Sequence, residues 1–63
     1  MYLILKMFGG LPEKGMGFKS IKKMNTEMKK IARKEKAEWN KDYLRSTLDA
    51  DIEYYTIKIR INK

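Results

Sequence analysis

The spacing of apolar residues changes along the chain, and each change marks a predicted element. Over residues 2–8 apolar positions alternate, with Leu3, Leu5 and Met7 on one face and Tyr2, Ile4, Lys6 and Phe8 on the other. This predicts a strand with Leu3, Leu5 and Met7 as its inner side. Over residues 25–48 the spacing is helical: at about 100° per residue, Met24, Met28, Ile31, Ala32, Trp39 and Tyr43 share one stripe, and Lys30, Arg33, Lys34 and Lys41 fall away from it. This stretch contains no Gly or Pro and is dominated by good helix formers, so propensity and pattern both predict a long helix. Asn25 or Thr26 offers an N-cap oxygen, and Glu27 sits where the helix dipole favours an acid. Residues 52–61 alternate again. Tyr55, Ile57, Ile59 and Ile61 point one way and Tyr54, Thr56, Lys58, Arg60 and Asn62 the other, as in a strand with one wet face.

Between these elements, residues 9–17 gather all four glycines and the only proline, which predicts a loop. Residues 18–24 satisfy two patterns. Phe18, Ile21 and Met24 extend the helical stripe, whereas Phe18, Ser20, Lys22 and Met24 alternate like an edge strand. A strand is favoured, because a bare two-stranded sheet is marginal in water, and Lys19 and Lys23 would then guard its edge. The expected fold is a single α+β domain over 1–63: a three-stranded antiparallel sheet in β-β-α-β order, with one long helix packed on one face. Ala37, Leu44 and Leu48 lie on the opposite side of that helix. Either the chain after Asp49 folds back over Leu48, or a partner surface runs along Ala37, Asn40, Lys41 and Leu44.

Composition narrows the chemistry. With neither Cys nor His, the chain has no disulfide, no thiolate, no imidazole base and few means of holding a transition metal. Asp49-x-Asp51-x-Glu53 lacks the Gly and Glu that a calcium loop places later, and reads as a helix stop. Glu35 and Glu38 stand among lysines as surface ion pairs. Phe18 separates Gly17 from Lys19-Ser20, which breaks a phosphate-loop motif. No catalysis and no cofactor are expected. Fifteen Lys and Arg oppose eight Asp and Glu for a net charge of +7, and eight of the positive residues lie between Lys19 and Lys36. That charge suits an acidic partner, or simply solubility, since no aromatic residue is interleaved with those lysines for stacking on bases. Residues 1–8 are too short for a signal-peptide core, and no run approaches the roughly 18 residues of a membrane span, so a cytoplasmic protein off the membrane, monomeric or homodimeric, is expected.

Ala37-Glu38-Trp39-Asn40-Lys41, followed by Tyr43-Leu44, Arg45 and Leu48-Asp49, resembles a stretch of the Dmd antitoxins of T-even bacteriophages. The same gapless register extends upstream through Met1, Leu3, Phe8, Gly10, Phe18, Met24 and Ala32, and covers about the first fifty residues. The resemblance implies a β-β-α-β phage early protein in the cytoplasm of the infected bacterial host. It would bind the host endoribonuclease toxin RnlA, or its relative LsoA, and block mRNA cleavage. It implies partner-binding residues on the helix: Asn40 matches a toxin-gripping Asn, and Ile31 stands where the family has a Trp. Glu38 and Lys41 flank Asn40, and Lys34 belongs to the lysine-rich half that would approach an acidic region of the nuclease. The marked basic charge and Ile31 depart from the family pattern. The alternative reading is a small basic nucleic-acid-binding protein of viral type, motivated by the net charge and by Lys58 and Arg60.

Overall fold

A computed structural model of the chain describes residues 1–60. The first strand, β1 (Tyr2–Phe8), lies where alternation places it. Gly9 and Gly10, at φ +59° and +83°, then reverse the chain. Two consecutive left-handed residues match the twist of a two-residue hairpin and favour Gly at both positions. The return strand, β2 (Leu11–Phe18), therefore begins at once. The expected loop over 9–17 and strand over 18–24 are both corrected. Turn-forming residues are tolerated in β2 because it is an edge strand, where Pro12 lacks no needed donor and the glycines cost little packing. A bulge at Glu13 shifts the register from Met7↔Pro12 to Lys6↔Lys14.

Ser20 is the true N-cap. It is extended at φ −122°, its hydroxyl accepts the Lys22 N–H at 3.1 Å, and helix α1 (Ile21–Lys34) follows. Thr26, expected near the cap, instead donates to the Lys22 carbonyl within the helix. The helix ends at Lys34, not at residue 48. Lys36 takes up a left-handed conformation at φ 50°; Ala37 N–H bonds to the Ala32 carbonyl at 2.9 Å and Lys36 N–H to Arg33 at 3.4 Å. This is a Schellman closure, made here without glycine. The released residues form a short strand, β3 (Tyr43–Arg45), before β4 (Ile52–Lys58). Ile61 and Asn62 of the expected strand over 52–61 lie outside the described residues.

The fold is thus α+β with four antiparallel strands in the order β2-β1-β4-β3, and this corrects the three-stranded expectation. One helix covers one face. Ile4, Met24, Met28, Ile31, Leu44 and Tyr54 form the core beneath it, with Trp39 and Ala37 packed at its margin. Leu44 is fully buried in β3, whereas Leu48 is exposed.

The helix also covers the face opposite to the one expected. Ile4, Tyr54 and Thr56 turn toward it. Leu3, Leu5 and Met7, paired with Ile57, Tyr55 and Glu53, turn away. A short helix brings three fully or nearly buried residues to the interface, and these fill the space over Ile4 rather than that over the larger Leu3/Leu5/Met7 set.

Candidate binding surface

Beyond α1 the chain is held at both ends of a tight turn. Thr47 donates to the carbonyls of Glu35 at 3.2 Å and Lys36 at 2.7 Å, capping the helix from outside. Glu35 is buried, and its Oε1 accepts the Ser46 hydroxyl at 2.7 Å, while Ser46 Oγ accepts the N–H groups of Leu48 and Asp49. Between these ties, Asn40 and Tyr43 exchange two backbone hydrogen bonds, at 2.9 and 3.0 Å, across Lys41 and Asp42. Lys41 sits at φ 58°, and the Asp42 carbonyl accepts the Thr56 N–H of β4 at 2.9 Å. The turn is therefore anchored to the sheet, with Glu38, Asn40, Lys41 and Asp42 exposed on it.

This turn borders a hollow of about 420 Å³ on the β4 flank of the helix, walled by Tyr2, Ile21, Asn25, Trp39, Lys41 and Lys58. The Trp39 indole N–H is buried there without a hydrogen-bond partner. On the opposite flank, a cleft of about 210 Å³ is lined by Lys6, Lys14, Lys30, Lys34, Glu27 and Tyr54. Glu13, in contact with Lys6 at 3.1 Å, holds that ammonium above its ordinary pKa through their hydrogen bond. Burial pushes the Tyr54 phenol up.

The five residues carried from the sequence do not form one helical face. Glu38, Asn40 and Lys41 stay together on the turn, and Lys34 lines the lysine cleft across the helix. Ile31 is only 6% exposed and belongs to the core, so its side chain is unavailable to a partner. Lys6 and Lys14 were missed as neighbours. The Gly9-Gly10 dipeptide signals the hairpin that brings them near, but the turn alone would set Lys6 opposite Glu13, and the bulge that moves Lys14 into that place has no signal in the sequence.

A third cluster lies on the open face of the sheet. Tyr43 donates to Glu53 Oε2 at 2.5 Å, Arg45 Nη2 lies 3.4 Å from the same oxygen, and the rings of Tyr43 and Tyr55 are 5.1 Å apart. The hydrogen bond from Tyr43, reinforced by the Arg45 guanidinium, holds the Glu53 carboxyl below the ordinary range, and the same bond raises the Tyr43 phenol. Asp49 Oδ1 accepts the Asp51 N–H at 3.0 Å, a local turn lock. No helix among the described residues is long and apolar enough to cross a membrane. No protein-family model, no curated protein and no solved structure matches the chain.

Proposed function

We propose that this protein is an antitoxin that works by binding: it seats its 38–42 turn in the RNA-binding groove of an RNase LS-type endoribonuclease, RnlA- or LsoA-like, and excludes the substrate. The observation that carries this reading is Asn40, exposed on a turn that its own backbone bonds with Tyr43 close and that the Asp42 carbonyl ties to β4. A preordered turn loses little entropy on docking, and an Asn side chain offers donors and an acceptor to a dry interface. The resemblance supplies the identity of the partner. The lysines of α1 would guide the approach to an acidic region of the nuclease, acting on the rate of association more than on its strength.

The test is co-purification with each toxin, followed by an RNA-cleavage assay at increasing inhibitor concentration. Asn40→Ala should weaken inhibition by about 5- to 150-fold, corresponding to about 1 to 3 kcal/mol for partner groups left unpaired. Failure to inhibit either toxin, or an Asn40→Ala variant as potent as the parent, overturns the proposal.

A second reading, nucleic-acid binding, is favoured by the lysine cleft. Lys6 faces Lys14 directly across the hairpin, and Lys30 and Lys34 are one helical turn apart. Both arrangements place like charges together at a cost; Glu13 offsets part of it at Lys6, and an anion would relieve the rest. If four lysines neutralise four phosphates of a single strand, the logarithm of affinity should fall with the logarithm of salt at a slope of about −2.8. A flat salt response rules this reading out.

A further inference from the structure

The two central strands carry their most apolar sides on the face that the helix leaves open. On β1 these are Leu3, Leu5 and Met7; on β4 they are Tyr55 and Ile57, 36% and 39% exposed. Across from Leu3 and Leu5, β2 presents Gly17 and Gly15, so β2 raises no side chain of its own there, and the neighbouring Leu3 and Met1 side chains lean over the two glycines. A strand apolar on both sides is the pattern of a sheet covered on both faces. One cover is α1, and the described residues contain no second.

We propose that the second cover is another copy of this chain, stacked sheet to sheet about a twofold axis through the open face. Charge is compatible with that occupant. The chain carries +7, yet the strand residues of this face hold only Arg45 and Glu53, which pair with each other at 3.4 Å. Two like-charged chains can therefore meet here without bringing lysines together. Face-to-face sheets lie about 10 Å apart and each helix adds a further layer, so the two basic helices would stand about 30 Å apart, beyond a Debye length of about 8 Å.

Lateral growth of the sheet is blocked. The β2 edge carries Pro12 and the Glu13 bulge, and the β3 edge is three residues long. Three strands of about seven residues and the three-residue β3, at about 4.8 Å spacing and about 3.3 Å per residue, give a flat footprint of about 380 Å² per copy. Two such footprints total about 760 Å² when flat, and side-chain relief brings the contact toward the roughly 1,000 Å² of a specific interface. The same patch meets itself, as a twofold interface requires. This proposal does not depend on the identity of any toxin or nucleic acid.

The experiment is sedimentation equilibrium of the full chain from about 1 to about 200 µM, with the thermal midpoint measured over the same range. The expected mass at high concentration is twice the 7.5 kDa of the chain, with a midpoint that rises with concentration. Leu5→Lys and Ile57→Lys should each return the mass to one chain with unchanged far-UV circular dichroism, whereas Lys29→Glu on the outer helix should leave the dimer intact. If either face variant fails to fold, the parent's mass and midpoint still decide the matter. A folded parent that stays at 7.5 kDa across the range with a constant midpoint, or a dimer that survives both lysine substitutions, overturns the proposal.

Discussion

Ser46→Ala removes the hydroxyl that joins the end of α1 to the loop before β4. Ser46 is 3% exposed, donates to the buried Glu35 carboxylate at 2.7 Å, and accepts from Leu48 and Asp49 N–H at 3.0 and 3.1 Å. The remaining approach to that carboxylate, from the Tyr54 hydroxyl, is long at 3.5 Å. A hydrogen bond to a charged group is worth about 1.5 to 3 kcal/mol, and water can partly replace the two amide bonds, so the loss should be about 2 to 4 kcal/mol. At about 0.05 to 0.15 kcal/mol per residue, a chain of this length has about 3 to 9 kcal/mol in total. One hydroxyl therefore accounts for a large share. Urea unfolding followed by Trp39 fluorescence should show a midpoint lowered by about 2 to 4 M for a slope near 1 kcal/mol/M. Glu35→Gln in the same background should cost less than it does alone, because the two groups act as a pair. A Ser46→Ala change within about 0.5 kcal/mol of the parent, or strict additivity of the two substitutions, would refute this account of the helix end.

Two further outcomes follow from the geometry. Lys36→Gly should stabilise the protein by about 0.5 to 1 kcal/mol, since the left-handed C′ position penalises a side chain, and the same urea titration would detect it. Glu53, whose folded pKa lies below its ordinary value because of Tyr43 and then Arg45, contributes stability that is present above about pH 4.3 and lost as pH falls through the depressed folded value. Glu53→Gln should flatten that acid limb of the thermal midpoint against pH, and an unchanged limb would assign acid sensitivity elsewhere.

The parts of the fold that were legible in the sequence are those where local pattern and tertiary context agree. Tyr2–Phe8 is a strand as alternation predicts, and 25–34 is helical as propensity predicts. The helix boundary at Lys34 was not legible, because its stop is a lysine in a glycine-type conformation, and residues 35–48 continue to spell helix by composition. Trp39 and Tyr43 fit the helical stripe because they do reach the core margin and the sheet, but by way of a turn and a strand. Pro12, Gly15 and Gly17 read as loop, since an edge strand tolerates what an inner strand forbids. Which sheet face the helix covers is a tertiary choice with no local signature. Of the candidate site, Glu38, Asn40 and Lys41 lie together and exposed on one turn instead of a helix face, while the packing of α1 buries Ile31.

The middle of the sheet is made by β1 and β4, so that Leu3 hydrogen-bonds beside Ile57 and the N-terminal ammonium reaches the Ile59 carbonyl. A growing polypeptide can close the β1–β2 hairpin and wind the helix early, but it must wait for β4 before its two inner strands meet. The pairing of β1 with β4 joins residues as distant in sequence as Tyr2 and Lys58, and a contact of such high sequence separation slows folding for so small a domain. Until then, the edge of β1 that β4 will occupy keeps its backbone donors and acceptors unpaired.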